Sequence, residues 1–125
     1  MNKREIGSRA EKLVLDYLLG KGMSLVAQNY ISPYGEADII LMDGDEFAFV
    51  EVKARRSDKF GKPAEAVTKS KMKKYLLTAQ YFFMNAGMED YRVRFDVAEV
   101  YLTSGSPWVN YIQNAYDFSG IEEFY

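Results

Sequence analysis

Apolar residues recur at helical spacing near the start of the chain. In REIGSRAEKLVLDYLLGKG, residues 4–22, the apolar positions are Ala10, Leu13, Val14, Tyr17 and Leu18. This spacing predicts a helix from about residue 5 to about residue 20. Ser8 and Glu11 form a capping-box pattern near its start, and Gly20 is a stop signal at its end.

Strand-forming runs and a second helical pattern make up most of the remaining chain. The runs are MSLVAQNYIS (23–32), ADIILM (37–42), EFAFVEVKA (46–54) and VRFDVAEVYL (93–102). Turn signals in SPYG and DGD separate the first three strands. Residues 55–62 are predicted to form a loop, and a helix from Ala64 to about Asn85 follows it. In the fourth strand, Arg94, Asp96 and Ala98 are expected to face solvent.

The predicted order is helix, three strands, helix, strand. The aromatic-rich tail from about residue 104 is expected to be partly irregular and to add a last short strand. A chain of 125 residues is long enough for one core, so we expect a single domain over residues 1–125. This order predicts an α/β fold, in which a mixed central sheet is flanked by helices.

Charged residues interrupt two of the most apolar strands. Alternation places Phe47 and Phe49 on one face of the third strand together with Glu51 and Lys53, whereas the opposite face is wholly apolar. Apolar residues on both faces indicate an interior strand. In the preceding strand, Asp38 shares a face with Glu36, Ile40 and Met42, opposite Ala37, Ile39 and Leu41.

The turn between these strands decides whether their charged residues meet. A two-residue loop, at Asp43–Gly44 or at Gly44–Asp45, brings Asp38 opposite Phe49 or Glu51. Either register clusters Asp38, Glu51 and Lys53 on one face. A three-residue loop would reverse that relation, and the sequence leaves this alternative open.

The composition restricts the chemistry that such a cluster can perform. The chain contains neither cysteine nor histidine, which excludes thiol nucleophiles, Ser-His-Asp triads and zinc clusters. Oxygen ligands alone favour a hard cation, Mg²⁺ or Mn²⁺. Such a cation would neutralise the paired carboxylates of Asp38 and Glu51, and Lys53 would orient the attacking water or stabilise charge on a phosphate. The alternative interpretation is an exposed Glu51–Lys53 ion pair of little energetic consequence.

Basic residues concentrate in one segment of an acidic chain. The total net charge is −2, yet residues 53–74 hold nine basic and two acidic residues, a local charge of +7 that leaves −9 elsewhere. Such asymmetry is compatible with one nucleic-acid-facing side. A solvated helix face and loop would give the same pattern, and charge alone favours that alternative.

The motifs resemble those of a known nuclease superfamily. An acidic residue on one strand and E-x-K on the next, here Asp38, Glu51 and Lys53, resemble the PD-(D/E)XK nucleases, which have a restriction-endonuclease-like fold. Glu11 lies where members similar to Holliday-junction resolvases place a further glutamate. The order of GSRAEKLVLDYLLGKG, QNY, GEADII, FVEVKAR, FGKPAEAV, SKMKK, RFDV and YIQNAY is similar to the YraN family, also called uncharacterised protein family 0102, nearly end to end. Ala37 departs from the family's usual GEIDLI, on the face opposite the acids.

This resemblance implies a metal-dependent nuclease, with structure-selective cleavage expected by analogy with the resolvases. Glu11, Asp38 and Glu51 would bind Mg²⁺ or Mn²⁺ and Lys53 would act as a catalytic residue. The predicted nucleic-acid contacts, with DNA as the expected partner, are Arg55, Arg56, Lys59 and Lys71. The alternative is a module of the same fold that binds nucleic acid or protein without turnover.

Two further expectations concern the state and location of the protein. Aromatic residues in the tail, Trp108, Tyr111 and Tyr116, are candidates for a homodimer contact. The apolar runs are short and the N-terminus lacks a signal-peptide core, so we expect no membrane segment and a cytoplasmic protein.

Overall fold

The described part of the chain forms two helices and five strands. The computed structural model describes residues 2–55, 67–103 and 105–121. In chain order the elements are α1 (Lys3–Gly20), β1 (Ser24–Ser32), β2 (Gly35–Asp43), β3 (Glu46–Arg55), α2 (Lys69–Asn85), β4 (Arg92–Tyr101) and β5 (Trp108–Ile112). The predicted order of elements is confirmed, including the last short strand.

The strands form one mixed sheet in the order β1-β2-β3-β4-β5. β3 and β4 are parallel, whereas the other neighbouring strands are antiparallel. Parallel neighbours need a long crossover connection, and here that connection includes α2. The architecture is therefore the predicted α/β one and is consistent with a restriction-endonuclease-like fold.

The two helices cover opposite faces of this sheet. Ala10, Val14 and Leu18 of α1 are fully buried against residues of one face, among them Ile39, Leu41, Ala48, Val50, Ala98 and Val100. Ala79 and Phe83 of α2 pack against the other face, with Ile40, Phe47, Phe49 and Phe95. Each fully buried valine or leucine contributes roughly 1.5–3 kcal/mol. Neither described helix has the length and apolar character needed to cross a bilayer.

The hairpin between β2 and β3 has a two-residue loop. Asp43 pairs with Glu46, and Gly44 has a φ of +63°, a left-handed conformation that glycine adopts without strain. This loop, Gly44–Asp45, is one of the two predicted registers. β3 is the central strand, and its residues 47–50 are buried, as expected for an interior strand.

Both helices begin at different residues from those predicted. The side chain of Asn2 caps α1 by accepting the Glu5 N–H at 2.9 Å, so Ser8 lies inside the helix and is not its cap. Thr68 caps α2 and accepts the Lys71 N–H at 3.2 Å. Val67 and Thr68 are therefore not helical, and the predicted start at Ala64 lies outside the described residues. In each case the residue directly before the helix, Asn2 or Thr68, supplies the side-chain oxygen that accepts a backbone N–H of the first turn.

The expected solvent exposure of alternate β4 residues is wrong. Arg94, Asp96 and Ala98 are 6 %, 0 % and 0 % exposed. Arg94 Nε donates to Asp96 Oδ2 at 2.9 Å, and Arg94 Nη1 lies 2.9 Å from Asp43 and 3.2 Å from Glu46. Ion pairs allow charged residues to be buried on this face of β4. A pattern of alternating polar and apolar residues does not reveal such pairs.

Candidate functional site

Asp38 lies where β2 and β3 separate. The hairpin pairing extends to Ile39 and Val50, and the next residues in that register are Asp38 and Glu51. Asp38 Oδ2 accepts the Val52 N–H at 2.8 Å, so a carboxylate replaces the backbone carbonyl that a continued ladder would supply. This bond fixes the Asp38 side chain between the two strands.

The strict alternation predicted for β2 fails next to Asp38. Ala37 packs with Ile40 on the α2 side of the sheet, whereas Ile39 packs on the α1 side. The paired strand β1 is irregular here as well, with a register shift between Leu25 and Ala27 and a positive φ of 50° at Asn29. This irregular pairing allows Asp38 to line cavities on both sides of β2.

The first of these cavities joins Asp38 to Glu51. Its volume is about 80 Å³, which is room for roughly two or three water molecules or a small cation with part of its hydration shell. Glu36, Tyr75 and Tyr116 also line it. The predicted meeting of Asp38 and Glu51 is therefore present in the structure, with Glu36 as an additional acid beside them.

Two tyrosines hold one oxygen of Glu51. The hydroxyls of Tyr75 and Tyr116 both donate to Glu51 Oε2, each at 2.6 Å. Their rings stack with centroids 5.3 Å apart and an interplanar angle of 30°. Burial, reinforced by the hydrogen bond to Glu51, raises the pKa of both tyrosines far above the ordinary value of 10.0, so both hydroxyls remain protonated donors.

Sequence reasoning did not assign these tyrosines to the site. Tyr75 lies four residues before Ala79 on the buried stripe of α2, so its spacing could have placed it over the face that carries Glu51. Tyr116 had no local signal, because 65 residues separate it from Glu51. The sequence marks the tail tyrosines only as candidates for a homodimer contact, and that dimer stays a prediction.

The acidic groups repel one another. Burial raises the pKa of the Asp38 carboxyl, and the charges of Glu51 and Glu36 raise it further, against the opposing effect of the Val52 hydrogen bond. Burial likewise raises the pKa of Glu11, with Asp38 and Glu36 adding to the effect. Asp38 therefore lies within electrostatic range of three other carboxylates, those of Glu11, Glu36 and Glu51, an arrangement that favours a cation or protonation.

Glu11 reaches Asp38 from the α1 side. The two residues line a second cavity of about 300 Å³ together with Arg4, Val52 and Ala54. The buried neighbour Ala10 anchors this turn of α1 on the sheet. Asp38 is thus shared between a cavity that contains Glu51 and one that contains Glu11.

Lys53 lies in a neighbouring hollow and does not line the carboxylate cavity. It shares a groove of about 350 Å³ with Arg55, Val97 and Glu99. Tyr116 lines both this groove and the carboxylate cavity, so Lys53 adjoins the site across that ring. Lys53 and Glu51 are on the predicted side of β3, but they line different cavities.

The predicted nucleic-acid contacts differ in their surroundings. Arg55 Nη2 pairs with Glu99 Oε2 at 3.3 Å, which partly neutralises it. Lys71 lies in the first turn of α2 and lines a cavity with Glu36, Glu51 and Tyr75, close to the acidic residues. Arg56 and Lys59 lie outside the described residues.

The carboxylate oxygens of the site suit a hard cation, although they do not all converge on one point. In residues 2–55, 67–103 and 105–121, no group of three or more carboxylates converges closely enough to hold a metal ion. Asp38 and Glu51 nevertheless share one cavity, and both offer only oxygen donors, which Mg²⁺ and Mn²⁺ prefer. The pair therefore fits as the nucleus of a cation site, to which Glu11 would have to be drawn closer.

Comparison with known proteins finds relatives that belong to one family. Residues 10–100 match the model of uncharacterised protein family UPF0102. A UPF0102 protein of Clostridioides difficile is 42 % identical over 116 residues, which cover 93 % of this chain and 100 % of the relative. A UPF0102 protein of Caldicellulosiruptor saccharolyticus is 39 % identical over 93 % of this chain and 100 % of its own length. A UPF0102 protein of Vibrio campbellii is 40 % identical over 91 % of this chain and 93 % of its own length. These names state no activity.

Proposed function

Since the chain belongs to uncharacterised protein family UPF0102, whose description states no activity, we infer its function from the geometry of the site. We propose that the protein is a metal-dependent nuclease that hydrolyses phosphodiester bonds. The supporting observation is the Asp38–Glu51 pair, which shares one cavity at the point where β2 and β3 separate. Placing two carboxylates together in a partly buried cavity is unfavourable unless a cation or a proton compensates their charge.

The free oxygens of the pair support a ligand role. Asp38 Oδ2 accepts the Val52 N–H, and Glu51 Oε2 accepts both tyrosine hydroxyls. Within the described residues, Asp38 Oδ1 and Glu51 Oε1 accept no hydrogen bond. Each carboxylate is therefore held by one oxygen and offers the other.

Asp38 and Glu51 would hold Mg²⁺ or Mn²⁺, with Glu11 contributing from α1. Such an ion supplies Lewis-acid stabilisation of the phosphate and acidifies the attacking water. Lys53 lines the groove that Tyr116 borders, and from there it would stabilise negative charge that develops on the phosphate. Lys71, which lines a cavity with Glu36 and Glu51, would hold a neighbouring phosphate of the backbone.

DNA is the expected substrate, and structure-selective cleavage the expected specificity. The chain carries a modest net charge of −2, so binding is expected to be weak and sensitive to salt. Structure-selective cleavage is expected by analogy with the Holliday-junction resolvases, whose motif the sequence resembles.

Cleavage of a substrate panel tests this function. The panel contains single-stranded, duplex, flap and four-way-junction DNA and an RNA, incubated with Mn²⁺. We expect Glu51→Gln and Lys53→Ala to reduce cleavage on the order of 100-fold or more. The matched controls are Asp45→Asn, at a residue whose side chain is 79 % exposed, and Lys12→Ala on the outer surface of α1; both should cleave as the wild type does.

The panel also separates the proposal from its rival. Binding of nucleic acid without cleavage of any substrate would favour a module that uses the fold without turnover. Cleavage that survives in Glu51→Gln would mean that the active carboxylates lie elsewhere.

A further inference from the structure

The Glu51 carboxylate is held asymmetrically. Both tyrosine hydroxyls donate to Oε2, at the same distance of 2.6 Å, and within the described residues no donor contacts Oε1. Hydrogen bonds to an ionised carboxylate are short and strong. Two such hydrogen bonds to Oε2 restrict rotation of the Glu51 carboxylate, so they also fix the direction in which Oε1 points.

The two tyrosines come from different elements and support each other. Tyr75 projects from α2, whereas Tyr116 lies in the segment after β5. Their stacked rings leave both hydroxyls directed at the same atom. Tyr116 also contacts Phe118 edge-on at 6.2 Å, so its ring is packed on two sides. The pair is therefore preorganised by packing as well as by hydrogen bonds.

A buried carboxylate on β4 determines the path of the segment that carries Tyr116. Asp96 Oδ1 accepts the Asn114 N–H at 2.9 Å, and Asp96 Oδ2 accepts the Tyr111 hydroxyl. The Ala115 N–H donates to the Phe95 carbonyl at 2.9 Å. The chain turns at Asn114, where φ is 49°, and these bonds on both sides of the turn bring Tyr116 back over the sheet.

From these contacts we propose that Tyr75 and Tyr116 are positioning residues of the carboxylate site, which hold Glu51 so that Oε1 faces a bound divalent cation. This inference rests on the proposed metal-dependent function. Tyr116 lies beyond residues 10–100, the region that matches the family model. The segment after β5 is therefore a functional part of this site.

Direct measurement of Mn²⁺ binding by calorimetry tests the inference. Tyr75→Phe and Tyr116→Phe keep the stacked rings and remove one hydroxyl each. We expect each to weaken Mn²⁺ binding by about 10-fold, and the double variant by up to about 100-fold, as for other groups that orient a metal ligand. Tyr81→Phe, on the same helix and outside the lining of the carboxylate cavity, should bind as the wild type does.

Two further readouts distinguish positioning from general support of the fold. The metal-free melting temperature and circular dichroism of each variant show whether it folds. Cleavage by the variants should recover at high Mn²⁺ concentration, because the ligands remain, whereas Glu51→Gln should not recover. Wild-type affinity in both tyrosine variants would overturn the inference alone, and absence of Mn²⁺ binding by the wild type would overturn the proposed function with it.

Discussion

At the residue scale, Asp38 is a ligand candidate whose charge is unfavourable in the metal-free fold. Its pKa is raised above the ordinary 3.8, first by burial and then by Glu51 and Glu36. The folded protein therefore binds this proton more readily than the unfolded chain does. The stability that Asp38 contributes is greatest below its ordinary pKa and falls as pH rises through the raised folded value.

Asp38→Asn should accordingly stabilise the metal-free protein at neutral pH, on the order of 1 kcal/mol. The amide oxygen can still accept the Val52 N–H, so only the charge is lost. The measurement is the melting temperature in EDTA from about pH 3 to about pH 8. The gap between variant and wild type should be small in acid, where Asp38 is protonated, and should widen towards neutrality.

Mn²⁺ supplies the complementary control. It should raise the melting temperature of the wild type and of Asp45→Asn, because a ligand that binds only the folded state stabilises it, and should leave Asp38→Asn unchanged. A metal response retained by Asp38→Asn would remove Asp38 from the site.

The residue types of the site were predictable, whereas its supporting residues were not. Asp38 and Glu51 stand out because they are acids within apolar strands. Tyr116 does not, because its contact with Glu51 depends on the turn at Asn114 and on the bonds to Asp96. A local pattern carries no information about contacts that the tertiary fold creates.

At the scale of elements, the pair Arg94–Asp96 ties β4 to the β2–β3 hairpin and to β5. Arg94 Nη1 contacts Asp43 and Glu46 at the hairpin, and Asp96 receives the hydroxyl of Tyr111 in β5. Burial of a charge is tolerated only while its partners remain. The two side chains thus stabilise the arrangement of four strands, β2 to β5.

Arg94→Met should therefore destabilise the protein by about 3–5 kcal/mol, because it leaves the carboxylate of Asp96 buried without its cation. Urea denaturation measures the loss. Adding Asp96→Asn removes that charge, so the double variant should recover part of the stability, whereas Arg92→Met, at the exposed pair with Asp45, should cost little. Equal losses in the single and double variants would contradict this account.

Element positions followed from the sequence more closely than element boundaries did. The hydrophobic periods located both helices and the first four strands, whereas the fifth was expected only as a short strand within the tail. The Gly44 turn signal gave two candidate registers, one of which is observed. Caps at Asn2 and Thr68 were missed because Ser8 and the apolar residues near Ala64 offered equally good local patterns. Alternation misplaces Arg94 and Asp96 of β4 because it cannot show that they pair with each other under cover of the fold. It also cannot show that Arg94 pairs with Asp43 and Glu46 of the hairpin.

At the scale of the whole molecule, the basic segment is less uniform than its composition suggested. Arg55 is paired with Glu99, which also accepts the Asn110 side chain at 3.0 Å, whereas Lys71 lies beside the acidic cavity. We therefore expect Lys71 to contribute more than Arg55 to phosphate binding. Local charge density predicts an interface only where the cations are not already neutralised.

Fluorescence anisotropy with a labelled DNA at several salt concentrations tests this difference. Lys71→Ala should weaken binding and reduce the slope of log K against log salt by about 1, the change expected for one lost phosphate contact. Arg55→Ala should change the slope less, and Lys12→Ala, whose side chain is exposed beside Asp16, should not change it. A slope unaffected by Lys71→Ala would place the interface on another surface.

The hydrogen bond from Tyr116 to Glu51 has a consequence for when the site forms during synthesis of the chain. The ribosome releases Glu11, Asp38 and Glu51 well before the segment after β5, and domains fold as their chain emerges. If the tyrosines position Glu51 as proposed, a nascent chain holds its three acids without the geometry that makes them a metal site. Competence to cut would then arise only after the segment that follows β5 has emerged and packed against the sheet, later than the three acids themselves.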